Sequence, residues 1–323
     1  MRSSDPSIHA LLLVLRAMHH SAGRASSKRG QRSVRQSDGA SGELVRVPIA
    51  RQALEPPGNL PEAMEGEGGV ATAMQILGID IGGTGIKGGL VDVEVGELLG
   101  EERFRLRTPR PATPESVTET VAGVVDHFRW QGQVGCGFPA VVRHGCVCTA
   151  ANISNKWIGC DARSMFERDT ECTFTVLNDA DVAGLAEMRF GAGRGHQGVV
   201  LVLTLGTGIG SALFINGQLV PNTEFGHIEI NGRNAERWAA DSVRENKALS
   251  WKKWAKRVDE YLHAVQFYLW PELIIIGGGV SKKHQKFLRY LTVDAEVVPA
   301  QLRNQAGIIG AAAAAASSAA DVG

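Results

Sequence analysis

The chain has 323 residues, its 34 Lys and Arg are balanced by 34 Asp and Glu, and 44% of it is hydrophobic. That is enough apolar material for one large domain or two lobes, and a zero net charge excludes a global pull toward nucleic acid, so any polyanion site must be local. No apolar run reaches the ~18 residues of a membrane span; the longest candidate, Ala10 to Leu15, is far too short, so no membrane partner is expected. The five cysteines, Cys136, Cys146, Cys148, Cys160 and Cys172, are odd in number and fall in or beside β-like segments, which fits a reducing compartment and buried thiols.

Taken in chain order, the first segment stands apart. From Met1 to Ser37 seven Arg or Lys face one acidic residue, Asp5, among many Ser, the bias of an organelle transit peptide. Asp38 to Ala73 shifts to Gly, Pro and Glu and reads as a linker. The alternative is a disordered extension, or a misassigned start upstream of Met74. A transit peptide implies a plastid or another organelle, and otherwise the expected location is cytoplasmic. On either reading residues 1–73 lie outside the fold.

Ile76 to Ile81 and Gly88 to Val93 read as a hairpin, with Phe104 to Arg107 as a third strand. Gly83, Gly85 and Gly88 have the spacing of a dinucleotide-binding turn, but such a turn must open a helix, and GGLVDV continues as strand. Thr113 then caps a helix with Pro114 at its first position and Val117, Val121, Val124, Val125 and Phe128 on one face. Gln133 to Phe138 is a strand. Thr173 to Leu177 is another, and Ala180 to Phe190 follows as a helix. Asn178 and Asp179 therefore fall where a strand's carboxyl end meets a helix, the usual ligand position in open α/β sheets.

The pattern then repeats. Val199 to Leu205 is an apolar strand, GTGIG a glycine turn, and Ser211 to Ile215 a second strand closed by Asn216-Gly217, a strong hairpin signal. Helical stretches follow near Ala235 to Lys247 and Trp251 to Leu269, the second ended by Pro271. Trp251, Trp254, Tyr261 and Trp270 are expected in the core or a subunit contact. Leu273 to Ile276 is a buried strand, Gly277 to Gly279 turns into another helix, and Gln305 to Ala319 closes the chain as an Ala-rich helix.

A strand, glycine turn, strand unit in each half suits a phosphate chain gripped from both sides. In the first, Gly82, Gly83 and Gly85 free backbone N–H groups to converge on an anion, Thr84 adds a hydroxyl donor, and Lys87 a positive charge. Asp80 fits such a site through a divalent cation, as phosphoryl transfer requires. In the second, Thr204, Gly206, Thr207, Gly208 and Gly210 repeat the recipe. Cys146 and Cys148 lack further Cys or His partners and are expected to be buried thiols rather than metal ligands.

The blocks GIDIGGTGIKGG, FPAVV, TAANIS, VLNDADVAGLAE, LTLGTGIGSALF, NTEFGHIEING, GGGVSKKHQKFL and LRNQAGIIGAA resemble, in order, those of the ROK family of sugar kinases, most closely its polyphosphate glucokinases. The resemblance spans about Gln75 to Ala315. It implies an α/β, two-lobed actin/hexokinase-type (ribonuclease H-like) fold, with a phosphate-binding glycine hairpin in each lobe. The lobes would be residues 74–180 (small) and 181–304 (large), with a helix over 305–319 returning to the small lobe.

The same resemblance implies phosphorylation of glucose at its 6-hydroxyl by polyphosphate or ATP, with Mg²⁺ held indirectly through Asp80, and a homodimer. Asp179 becomes the general base, which suits a carboxylate beside a weakly nucleophilic hydroxyl. Asn152, Asn178, Asp179, Glu224 and His227 become sugar contacts, with Asn155 and Glu236 as further candidates. Gly277, Gly278 and Gly279 become the nucleotide loop. Many ROK proteins carry a CxCGxxGC zinc motif after the histidine matching His227. Here no cysteine follows Cys172, so no structural zinc of that kind is expected. Lys282, Lys283, Lys286 and Arg289, and Lys252, Lys253, Lys256 and Arg257, are either a positive track for polyphosphate or solvated helix faces. Alternatives are an ATP-dependent kinase of another hexose such as mannose, and a non-catalytic sugar-binding regulator, although no helix-turn-helix pattern precedes the fold.

Overall fold

The computed structural model describes residues 74–100, 103–151 and 153–320. The expectations for Met1 to Ala73 lie outside the described residues, and no described helix is long and apolar enough to cross a membrane.

The first sheet starts with an antiparallel hairpin, β1 (Gln75–Gly82) and β2 (Gly85–Asp92). Two short strands, β3 (Glu97–Leu98) and β4 (Phe104–Leu106), pair with β2. Helix α1 (Pro114–Phe128) leads to β5 (Gln133–Phe138), parallel to β1. A small ladder, β6 (Val142–Arg143) and β7 (Cys146–Val147), and helix α2 (Ala162–Thr170) precede β8 (Thr173–Asn178), parallel to β5. Helix α3 (Asp179–Phe190) crosses to the second sheet.

That sheet repeats the plan, with an antiparallel hairpin of β9 (Val199–Leu205) and β10 (Ile209–Ile215) and a short β11 (Gln218–Val220). A two-stranded ladder, β12 (Glu229–Ile230) and β13 (Arg233–Asn234), is followed by α4 (Glu236–Ala239), α5 (Asp241–Asn246) and α6 (Trp251–Leu269). Parallel strands β14 (Leu273–Gly277) and β15 (Glu296–Pro299) complete the sheet, and α7 (Ala306–Ala320) ends the described chain. The orders β3-β2-β1-β5-β8 and β11-β10-β9-β14-β15 are one order used twice.

Local signals act as the sequence suggests. Thr113 Oγ1 accepts from Ser116 N at the start of α1, and Val117, Val121, Val124 and Val125 are buried. Asn216 and Gly217 turn β10 into β11 with φ of 51° and 77°, as a two-residue hairpin requires.

Three details differ from expectation. β2 begins at Gly85, not Gly88, because β1 and β2 pair down to Gly82 opposite Gly85 and leave a two-residue turn. Gly88 lies mid-strand, where an added Cβ would overlap Val124 of α1, so its small size serves sheet packing and not a cofactor. The segment 235–247 is two short helices broken at Ala240; Trp254 Nε1 donates to the carbonyls of Ala239 and Ala240, and Ser242 N turns away to Gly206 O. After Gly278 the chain forms 3₁₀ turns over Gly279–Lys286, with a break at Lys283.

The expected burials also divide. Trp254 and Tyr261 are fully enclosed while Trp270 is 70% exposed. Cys136 and Cys172 are buried but Cys148 is exposed, because β6 and β7 form a small ladder apart from the main sheets. All five thiols are free.

Strand alternation gives the first sheet two different faces. Leu77, Ile79, Ile81, Val134, Cys136 and Phe138 point into a core shared with α1 and α2. The opposite face carries Gly78 and Asp80 on β1 and Gly135 and Gly137 on β5, and α7 lies against it. There a Cβ on Gly78 would overlap the Ile308 carbonyl, and one on Gly135 the Ala311 carbonyl. Gly310 of α7 meets the Val182 carbonyl of α3 in the same way. Ala311 to Ala315 are all buried, so the alanine run is core-facing helix. Glu187, buried at the end of α3, anchors the approach to α7 by accepting from the backbone N–H groups of Ala192, Gln301 and Leu302.

Because the obstacle at Gly135 is backbone, no rotamer change relieves it. Gly135→Ala is expected to destabilise the fold by about 1–3 kcal/mol or more, measured by urea unfolding. A midpoint equal to the parent's is the opposing result.

Candidate active site

A cavity of about 620 Å³ opens between the two sheets. Its floor is the junction of β8 and α3. Asn178 caps α3: its Oδ1 accepts from Ala180 N at 2.8 Å and Asp181 N at 3.2 Å, and its Nδ2 donates to Ala140 O at 3.0 Å. With Asn178 in that role Asp179 is not the cap, and its side chain opens into the cavity.

Both glycine turns reach this floor. Gly83 and Thr84 of the first line the cavity, as do Thr204, Gly206, Thr207, Gly208 and Gly210 of the second. An added Cβ on Gly210 would lie 2.9 Å from Ala180 Cβ, so the second hairpin packs directly on the first turn of α3. Gly82 and Gly85 close the first turn behind its tip. Asp80 and Lys87 are directly opposed across the hairpin and form an ion pair at 2.9 Å, half-buried, behind the cavity wall. Gly137 of β5 is in register with Asp80, and a Cβ there would lie 3.7 Å from Asp179 Cα, so no side chain fills the strand between the two carboxylates.

The opposite wall is the segment after β11. Asp181, fully buried, accepts from Asn222 N at 2.8 Å, and Asn222 pairs with both backbone groups of Val142 at 2.9 Å. Ser211 Oγ donates to Thr223 O at 2.6 Å and accepts from Phe225 N at 3.0 Å. These bonds hold Glu224 and His227 at the cavity with Glu224 Oε2 and His227 Nε2 3.5 Å apart. Glu236 completes the ring, its Oε2 accepting from Ile209 N at 2.9 Å. Pro139, Ala140 and Thr149 to Ala151 form the remaining side.

The carboxylates perturb one another. Burial pushes the Asp179 carboxyl up to about 7; Asp80 and Glu224 add to the rise, and N–H groups of Ala180 and Asp179 itself oppose it. Asp179 is exposed to the cavity, yet it sits at the bottom of a cleft walled by protein, and that enclosure accounts for the direction. Burial likewise pushes Asp181 up to about 7, against the Asn222 N–H, and its Oδ1 has no partner. Burial raises Glu224 too, with His227 pulling it down and Glu236 pushing it up.

Among the expected site residues, then, Gly83, Thr84, Thr204, Gly206, Thr207, Gly208, Gly210, Asn178, Asp179, Glu224, His227 and Gly278 line one cavity. Asn178 keeps one amide hydrogen for a ligand, the rest of its amide being engaged. Gly82, Gly85, Asp80 and Lys87 stand behind it, and Gly277 and Gly279 flank Gly278 outside it. Asn155 is not part of its lining, and Asn152 lies outside the described residues. Sequence reasoning missed Asp181 and Asn222. The second acid in NDAD was the available signal for Asp181. Among the described residues no group of three or more His, Cys, Asp or Glu is arranged to hold a metal by itself.

Two glycine turns facing a carboxylate across a polyol-sized cavity define a phosphoryl-transfer site of the sugar kinase type. The chain belongs to the ROK family, which it matches over residues 76–247. It is 50% identical over 255 residues to the polyphosphate glucokinase of Mycobacterium tuberculosis (strain ATCC 25618 / H37Rv), covering 79% of this chain and 96% of the relative. The polyphosphate/ATP-glucomannokinase of Arthrobacter sp. strain KM superposes with a TM-score of 0.72 at 49% identity, over 76% of this chain and 99% of that one. The ROK glucokinase of Streptomyces griseus, solved with glucose and AMPPNP, does so at 0.64 and 27% identity, over 76% and 100%. These neighbours carry the actin/hexokinase-type fold that the duplicated sheets display.

A carboxyl raised by folding favours the native state most when protonated, below the unfolded value of ~3.9, and that contribution is lost as pH climbs through about 7. Asp179→Asn is therefore expected to raise the melting temperature relative to the parent by an amount that grows from pH 5 to 7 and levels off above. A pH-independent difference in thermal melts contradicts the assignment.

Proposed function

We propose that this protein is a kinase transferring the terminal phosphoryl group of polyphosphate or ATP to the 6-hydroxyl of glucose. The observation that carries this reading is the position of Asp179 between two backbone-lined glycine turns, in a chain half identical to a polyphosphate glucokinase. The sugar hydroxyl donates its proton to the Asp179 carboxylate as its oxygen attacks the terminal phosphorus. Glu224, His227 and Glu236 accept from and donate to the remaining hydroxyls. Backbone N–H groups of Gly83 and Thr84 in the first turn and of Thr207 and Gly208 in the second receive the donor's oxygens, the Gly206 N–H being bonded to Gly208 O within its own turn.

A base with a pKa near 7 is well matched to neutral pH, because it is ionised enough to act and basic enough to hold the proton. Closing the lobes over glucose removes water, the competing nucleophile. Mg²⁺ commonly needs only one or two protein carboxylates when phosphates supply the rest of its shell. Asp80 fits that role: one oxygen meets Lys87 and the other makes no protein hydrogen bond among the described residues. When bound there, the ion neutralises charge on the donor's oxygens.

Mannose is a second candidate acceptor, supported by the glucomannokinase among the structural neighbours. A homodimer is supported by Phe267, Tyr268 and Trp270, which are exposed together at the end of α6.

The full chain with Mg²⁺, offered glucose and either donor, is expected to form glucose 6-phosphate, and Asp179→Asn is expected to lower kcat by at least about 10²-fold while still binding glucose. A variant as active as the parent removes the base from Asp179. The parent's kcat/KM is expected to fall below pH 7, with Glu224→Gln moving that acid limb to lower pH because a repelling charge is gone. In light scattering the parent is expected at twice its chain mass, and Trp270→Asp at the chain mass; a monomeric parent excludes the dimer.

A further inference from the structure

A second cavity, about 560 Å³, adjoins the first hairpin and is lined by Thr84, Arg105, Arg107, Thr108 and Arg110. Thr84 belongs to both cavities, so they meet at the tip of the first glycine turn. Local structure explains the cluster. In β4, Phe104 and Leu106 pack against the core and Arg105 takes the other face; Arg107, two residues on, is exposed with it. Arg105 Nη2 donates to Thr84 O at 3.0 Å and to Thr84 Oγ1 at 3.2 Å. Thr108, buried, donates to Gly82 O at 2.5 Å, so the arginine segment is bonded to both ends of the turn. No carboxylate among the described residues lies within 4.0 Å of these three guanidiniums.

Uncompensated arginines beside a phosphate-accepting turn form an anion track, since guanidinium forks bind phosphate oxygens in pairs. The basic cluster around Trp251 is differently engaged. Arg244, Lys283 and Lys286 surround the Trp251 ring at 4.1, 5.8 and 5.8 Å, and Arg244 is also paired with Asp241 and Glu245. Gly278, the nucleotide-loop residue in the main cavity, belongs to the second sheet's side, whereas the arginines belong to the first.

We propose that the groove of Arg105, Arg107 and Arg110 holds the tail of an inorganic polyphosphate donor whose terminal phosphate lies between the glycine turns, and that ATP does not use it. This deepens the kinase reading and rests on it. A polyphosphate repeats its negative charge along the chain and needs cations beyond the reacting phosphate, while ATP ends in a nucleoside.

The test compares the full chain with R107E/R110E, both exposed positions, using long-chain polyphosphate, tripolyphosphate and ATP. The expected result is a rise of about tenfold or more in KM for long-chain polyphosphate, a smaller rise for tripolyphosphate, and ATP parameters within about twofold. The salt dependence of the polyphosphate KM should flatten, and R107K/R110K should recover most of the affinity. An unchanged polyphosphate KM, or an equal rise with ATP, overturns the groove while leaving the kinase reading intact. If the parent uses ATP but not polyphosphate, the donor reading fails by itself. Direct titration with long-chain polyphosphate then decides the groove: binding that R107E/R110E loses supports it, and equal or absent binding refutes it. Should R107E/R110E melt earlier than the parent, Arg110→Gln is measured in its place.

Discussion

The contact on which the rest depends is the backbone-to-backbone seating of α7 on the first sheet and on α3. Gly78, Gly135 and Gly310 are the points where a single methyl would collide with a main-chain carbonyl, so helix and sheet approach as closely as their backbones permit. That approach brings Gly307 against Asp80: an added Cβ on Gly307 would lie 2.9 Å from Asp80 Cγ. It also fixes α3, whose first turn carries Asp179. The last helix thereby sets the spacing of two carboxylates from the first and middle parts of the chain.

The enclosed acids Asp179, Asp181 and Glu224 work against stability. Asp179, Asp181 and Glu224 are each raised chiefly by burial, and Asp179 is further raised by its acidic neighbours. A domain selected only for stability would dilute such a cluster or pair it with cations. Here the cation nearest Asp80 is Lys87, while Asp179 is left open to the cavity. Uncompensated acid in a cleft is what proton abstraction from a hydroxyl needs, and the network Asp181, Asn222, Val142 fixes the opposing wall to the first turn of α3.

Sheet duplication explains how a small chain grips a polyanion. Each sheet offers one antiparallel glycine hairpin at the carboxyl end of its parallel strands, and α3 crosses between them. The two turns therefore face one cavity from both sides, while the differences between the lobes fall outside the turns: arginines beside the first, Gly278 and cations gathered on Trp251 on the side of the second. A shared transfer centre with unlike flanks is a physical basis for accepting two kinds of donor.

Much of this was legible from residue order. Both hairpins, the Thr113 cap, the buried strand at Leu273 and the terminal helix rest on local propensity and periodicity, which a sequence displays directly. Asp179 was legible for the same reason, because a strand ending in NDA before a helix places it at a sheet's carboxyl edge. The break at Ala240 was not, since it depends on Trp254 and Gly206 claiming backbone groups from a distance. Nor was Asn178's engagement as a cap, the Lys87 pairing with Asp80, or the exposure of Cys148. The sequence by itself determined the elements, the duplicated turns and the position of Asp179 at the end of a strand. Only the tertiary structure decided which polar groups remain free to meet a ligand, because that depends on partners far away in the chain, such as Asn222 for Asp181 and Thr84 for Arg105.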